Sequence, residues 1–357
     1  MNYKTILAAS GIAVIFSFSQ PFSNQLANAD GPGPFELQIQ TNDTCPGPTT
    51  FDCRYVFTAK DGSNKQITMA RTPSGTESWA YYDLPIYTKT GVQAGYYYDL
   101  NDNLVLMVVY SADKEGKSGA IVSRVSYDYG EHWTASVNIT NNQHKFGLAV
   151  APDSVWVAIL NNGKIKMWYA IDGPWEQRGP EVNANTNVDS KGLAMIREAD
   201  DGDIVSVSYT SGSNIWIKNF NIVDQTWRGF SLTPGNSSKS YRNDTAWLKD
   251  SASSDYYLAV KHHWVKMGGA AKRLGVLVTT DLTKKNKYAS FQKWVKKGSY
   301  PISGLWQDDD EIIYILSTVN QDIRGTDSNG NIRTEYESNQ NSSMRRRVSM
   351  FVVPPPN

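Results

Sequence analysis

Cysteine and histidine are scarce in this chain, with two of the first and four of the second among 357 residues. No Cys and His stand at zinc-ligand spacing, and the sequence assigns no metal site and no cofactor. Net charge is also lacking, because 35 Lys and Arg balance 35 Asp and Glu. That balance provides no pull toward nucleic acid or an anionic membrane surface. After the first few residues there is no apolar run long enough to read as a membrane-spanning helix. Amphipathic helix patterns are scarce too, which turns attention to strands.

The one apolar run is ILAASGIAVIF (6–16), preceded by Lys4 and followed by the small residues Ala27-Asn28-Ala29. This is the form of a signal peptide over 1–29, too short for an ordinary membrane span, although a retained N-terminal anchor is the alternative. The expectation is a secreted protein that begins near Asp30, with 30–357 as one domain and no membrane span after cleavage. Export would favour a disulfide between Cys45 and Cys53 in CPGPTTFDC, closing a short loop of local effect. Asn42, Asn138, Asn236, Asn243 and Asn341 each open an Asn-X-Ser/Thr sequon, which matters only in a host that glycosylates them.

What the chain has in quantity is aromatics, with 11 Trp and 20 Tyr, and short β-branched runs cut by Asn, Asp and Gly. NLVLMVVYS (103–111), SVWVAIL (154–160), KIKMWYA (164–170), DIVSVSYT (203–210) and EIIYILS (311–317) are examples. Many alternate with period two, as half-buried antiparallel strands do. A longer repeat sits above them: a strand, an Asp-containing turn, and a closing Trp at 133, 175, 227 and 294. The spacings of 42, 52 and 67 residues suit one four-stranded unit plus insertions. The fold class expected is all-β, a β-propeller of about six four-stranded blades, with RRRVSMFVV (345–353) as a closing strand. A β-sandwich is the structural alternative.

SYDYGEHW (126–133) resembles the Asp box, a turn that joins the outer strands of blades in sialidases and other propellers. In that motif polar side chains tie the turn and Trp wedges into the blade, a structural role away from the active face. The likeness to sialidases extends along the chain. RYVFTAKDGSNKQITMAR (54–71) is similar to the sialidase opening, although the usual Arg-Ile-Pro is here Arg54-Tyr-Val. KRLGVLVTTD (272–281), Trp294 and KGSYPISGL (297–305) resemble the last catalytic segment, in which a strand Arg precedes a Tyr on a Gly-rich turn. Arg273 and Tyr300 are 27 residues apart.

The resemblance implies an exported, retaining exo-glycosidase acting on glycans with a terminal acidic sugar. Guanidinium groups would hold the sugar carboxylate through parallel charge-assisted bonds, with Arg54 as the first and Arg273 as the third. Tyr300 would be the nucleophile, since a carboxylate would be repelled by the same charge. A phenol needs a neighbouring carboxylate to take its proton, and Asp189 is the nearest candidate. Asp83, 29 residues after Arg54, would be the acid/base. The middle Arg should end the second strand of its unit, where this sequence has Ser206, Ser208 and Tyr209. Arg197 lies on the other strand of that pair.

Two other readings stay open. A non-catalytic glycan-binding propeller would keep the scaffold without the full set of Arg, and a protein-interaction propeller would use its blades as a platform. Repeats such as NNGKIKMWYAIDGPW also resemble those of fungal fucose-binding propeller lectins, with Lys164 and Lys166 where sugar-gripping residues would be sought. His132 fills a variable turn position, His262 and His263 are adjacent strand positions that face opposite ways, and Arg345-Arg346-Arg347 reads as a solvated strand end. Acidic stretches DDGD (200–203) and QDDDE (307–311) could offer oxygen ligands to calcium or be solvated turns.

Overall fold

The computed structural model describes residues 36–44, 52–59, 65–73, 80–99, 101, 103–112, 119–141, 145–151, 154–171, 174–184, 193–198, 202–211, 214–232, 245–249, 253–266, 269–288, 293–297, 304–307, 313–319, 332–337 and 347–352. The expected signal peptide, Cys45, Asp189 and Tyr300 lie outside these residues.

Within them the chain is a β-propeller built from antiparallel meanders. The first sheet has seven strands in sequence order: β1 (Glu36–Thr44), β2 (Asp52–Ala59), β3 (Lys65–Pro73), β4 (Ala80–Tyr98), β5 (Leu104–Ala112), β6 (Ile121–Ser126) and β7 (Val137–Thr140). The second holds β8 (Lys145–Ala151), β9 (Ser154–Asn161), β10 (Lys164–Ala170) and β11 (Glu176–Asn183). The third holds β12 (Ala194–Arg197), β13 (Ile204–Ser211), β14 (Asn214–Asn221) and β15 (Trp227–Leu232). The fourth holds β16 (Thr245–Lys249), β17 (Tyr256–Lys266), β18 (Gly269–Thr279) and β19 (Lys293–Lys297). The fifth holds β20 (Gly304–Gln307), β21 (Ile313–Val319), β22 (Ile332–Glu337) and β23 (Arg347–Val352). β4, β8, β12, β16 and β20 each pack against the next, and β20 packs against β1, so the inner strands close a ring.

Two expectations are corrected. Among the described residues there are four separate four-stranded blades, not about six, because β4 runs on without a break. Its first half pairs with β3 and its second half with β5, and a register irregularity between Thr88 and Val92 lets the strand bend. One strand thus ends one meander and begins the next. The segment expected to close the ring is β23, but it lies inside the fifth sheet, between β21 and β22. Ring closure falls to β1 instead.

Apolar layers fill the spaces between successive sheets. Every residue of β5 is buried. Leu104, Leu106, Val108 and Tyr110 enter one core, while Val105, Met107 and Val109 enter the next, against Phe146, Leu148 and Val157 of the second sheet. That double burial is why LVLMVVYSA reads as a continuous apolar run rather than an alternating one. Each such Leu or Val contributes about 2 kcal/mol.

The Ser126–Trp133 turn is tied by its own side chains. Ser126 Oγ accepts the Gly130 N–H at 2.8 Å and donates to Asp128 Oδ1 at 2.8 Å. Asp128 Oδ1 also accepts the His132 N–H, and Oδ2 stands 2.6 Å from His132 Nδ1. Burial works to raise the Asp128 carboxyl, but the His132 and Ser126 bonds outweigh it and hold it below its ordinary value. Tyr129 and Gly130 both have positive φ, which favours glycine at 130, and a Cβ there would make the end of the Met69 side chain shift.

The closing aromatics reach back one unit. Trp133 donates to Gly130 O and meets Phe57 of β2 edge to face, with centroids 6.2 Å apart. Trp175 Nε1 donates to Ser123 Oγ of β6 at 2.8 Å, and Trp227 Nε1 donates to Pro180 O of β11 at 2.8 Å. In the fourth sheet the buried Tyr288 does the same, edge-on to Phe230 of β15 at 5.4 Å. The turn before it follows the same logic, with Asp281 Oδ1 accepting from Thr283 N and Oγ1. Tyr127 and Val223, each just before a turn Asp, and Ile171 are among the few exposed large apolar side chains described.

Arg71 fastens β3 to the first of these turns. It donates to Tyr129 O at 3.0 Å, Tyr82 Oη at 2.8 Å and Glu131 Oε1 at 3.2 Å while itself nearly buried. Arg71→Met removes these bonds and keeps the stem. The expected cost is about 2 kcal/mol, the loss of charge-assisted bonds at a buried group, read as a lower urea midpoint at unchanged slope. A midpoint that stays put would show that the clamp contributes nothing.

Candidate functional site

A carboxylate clamp at the mouth of the ring needs its guanidinium groups at one level. Arg54 is the third residue of β2 and pairs with Thr72. Thr72 follows Arg71, whose guanidinium enters the Ser126–Trp133 turn, so Arg54 stands at the turn end of the propeller. Arg273 lies on β18, between His262 and Lys297. It precedes Thr279, where the Asp281 turn begins, by six residues, roughly 20 Å of extended strand. The two arginines therefore occupy different sheets and different levels along them.

Asp83 is exposed on β4, opposite Thr68, with β2 and β3 between it and the inner strand β1. The ladder beside it shifts register between Gln66 and Thr68, near Pro85, which has no N–H to give, and Gln66 Nε2 donates to Leu84 O at 3.0 Å. Cys53 is fully buried in the first core.

The strand that should present the middle Arg is β13. Ser206, Ser208 and Tyr209 are buried there, and Ser206 Oγ is 2.6 Å from Asn219 Oδ1 of β14. Arg197 does not replace the missing group. It pairs with Val205 at the start of β13, hence at the turn end, is only 5% exposed, and donates to Ser154 Oγ of β9 at 2.6 Å. Trp156 Nε1 donates to the same hydroxyl. The neighbouring Glu198 is half-buried, and burial, followed by the charges of Asp281 and Asp203, raises its carboxyl. Among the described residues no group of three His, Cys, Asp or Glu could hold a metal ion.

At the opposite end, where the inner strands begin, the sequence pattern held no warning of Gln93. Its buried amide donates to Phe146 O and Leu193 O, at 3.3 and 3.4 Å, and so spans three inner strands. The only signal was a lone Gln in VQAGYYY (92–98), the otherwise apolar and aromatic second part of β4. Lys164 and Lys166 are both engaged by Glu181, at 3.0 and 2.6 Å. Their bonds, that of Lys166 first, hold the Glu181 carboxyl below its ordinary value. Lys218 on β14 differs: it stands over the Trp216 ring, 5.7 Å from the centroid, and burial lowers its ammonium.

The whole arrangement matches known propellers. A point mutant of NanB sialidase from Streptococcus pneumoniae aligns over 98% of this chain and 72% of its own, at TM-score 0.51 and 9% identity. The chain has a β-propeller fold, similar to that of this sialidase. A triple arginine-to-alanine mutant of AofleA from Arthrobotrys oligospora aligns over 96% of this chain and 90% of its own, at TM-score 0.51 and 8% identity. At such identities the likeness concerns the fold alone. No family model matches the sequence, and no curated protein does either.

Arg197→Met tests the structural role of this Arg. Loss of its bond to Ser154 from a buried position is expected to cost about 2 kcal/mol of stability, read as a lower urea midpoint. An unaltered midpoint would show that the bond to Ser154 does not hold the fold.

Proposed function

We propose that this protein is an exported β-propeller that binds glycans carrying a terminal acidic sugar, without the complete arginine set of a sialidase. The observation that carries the reading is β13. Where a middle guanidinium would be needed, the strand offers buried Ser206, Ser208 and Tyr209, and the nearest Arg is turned to Ser154 at the other end. Three parallel clamps are what let a sialidase orient the carboxylate for attack at the anomeric carbon. With one withdrawn, binding energy remains but orientation for chemistry is lost.

The second reading is the retaining exo-glycosidase, supported by the spacing of Arg273 and Tyr300 and by the sialidase-like fold. There Tyr300 attacks the anomeric carbon, Asp189 takes the phenol proton, and an acid protonates the leaving oxygen. Asp83 suits that last role poorly, being exposed on the strand farthest from β1 in its half of the sheet.

A fluorogenic sialoside and a glycan array decide between the two. Binding to acidic glycans with no turnover is the expected result. Turnover that disappears in Tyr300→Phe overturns it in favour of the enzyme, and silence in both assays removes the glycan reading altogether.

Export also carries the disulfide. Cys53 is buried and is not a free thiol, and the sequence has one other cysteine, Cys45. Alkylation of the unfolded protein should add nothing before reduction and two groups after it, counted by intact mass. Labelling without reductant would refute the bridge.

A further inference from the structure

Several of the described cations have an anion. Arg71 has Glu131, Lys164 and Lys166 share Glu181, Arg178 has Glu176, and Lys284 has Asp281. Lys218 is half-buried and no carboxylate among the described residues pairs with it. Its partner is the Trp216 ring, and burial is what acts on its charge.

The position is a seam between two blades. Trp216, Lys218 and Phe220 alternate along β14 and so share one face. Phe220 on that face meets β11 of the second sheet, where a Cβ at Gly179 would stand 2.7 Å from its ring. Trp216 packs into the same layer as Leu160, Tyr169 and Val182 of the second sheet. Arg178 covers Tyr169 on that side, 4.9 Å from the centroid. The seat of Lys218 is also shaped from below. It pairs with Gly229 of β15, where a Cβ would lie 2.6 Å from its Cδ, so the stem rests where any other residue would push it off.

We propose that this seam between the second and third sheets is a peripheral binding site for a carboxylate-bearing sugar, held by Lys218 with Trp216 beneath its ammonium. An ammonium that has given up part of its hydration gains more from an incoming anion than an exposed one does, because the surrounding dielectric is lower. The indole fixes the group without neutralising it. A carboxylate completes the pair that no described residue supplies. That the carboxylate arrives on a sugar rests on the glycan reading above; the cation seat itself does not.

The test is a titration of the mature full-length protein with an oligogalacturonate, following indole N–H resonances and assigning Trp216 by Trp216→Phe. A saturable shift of the Trp216 signal is expected, with no response to a neutral oligosaccharide of equal length. Lys218→Met should weaken binding about tenfold or more, the loss of one charge-assisted contact, while Lys218→Arg retains it. Lys218→Gln serves as the second variant if Met alters the melting temperature. Tyr300→Phe, which tests the central mouth, should leave the Trp216 response in place. A silent Trp216, or a Lys218→Met variant that binds as tightly as the parent, overturns the site. A response to acetate equal to that with oligogalacturonate, at matched carboxylate concentration, overturns the sugar assignment. Array binding with a silent Trp216 sinks this site while the glycan reading stands.

Discussion

One contact recurs around the ring and makes the rest possible: a large aromatic at the close of each polar turn lies back against the preceding meander. Trp133 reaches Phe57, Trp175 reaches Ser123, Trp227 reaches Pro180, and Tyr288 reaches Phe230. Each contact combines a ring that is at least partly buried with a positioned turn, so the packing angle between neighbouring sheets is fixed at the outer strands as well as the inner ones. Without it, a ring of meanders has only its inner strands to hold register between units. The polar half of the device serves the same end. Ser126, Asp128 and Gly130 leave the turn a single geometry, and that geometry aims Trp133.

Much of this was legible in the sequence, because it is local. A strand run, an Asp turn and a Trp follow one another within about twenty residues, and side chains two to four apart close the turn without help from distant parts. In the fourth unit Tyr288, on the Asp281 turn itself, reaches back in the same way, so a Tyr as well as a Trp can serve as the wedge.

The blade number and the site were less legible, since both depend on register. Residues 80–98 contain Pro85 and Gly91, which punctuate a sequence as a loop would. The chain absorbs them as irregularities within one strand, with Gln66 Nε2 bonding the Leu84 carbonyl beside Pro85. Whether a Pro ends a strand or bends it depends on its neighbours across the ladder, and these are distant in sequence. Arg54 and Arg273 illustrate the same point. Each stands beside the pattern expected of it, but level along a blade is set by how many residues separate it from the turn, and the two counts differ.

Register also decides which charges are available for recognition. On β10, Lys164 and Lys166 point to the same side and meet Glu181, so their spacing, which looked like a sugar grip, is taken up by an internal pair. On β14 the same i, i+2 spacing puts an indole beside an ammonium, and the register opposite brings a glycine instead of a carboxylate. Identical periodicity therefore yields a closed ion pair on one blade and a cation with no described carboxylate on the next. The distinction lies entirely in the residue across the ladder, Glu181 near Lys164 and Lys166 and Gly229 opposite Lys218, and a reading along a single strand cannot see it. Binding chemistry in a repeated fold of this kind follows from such cross-strand differences more than from the repeat itself.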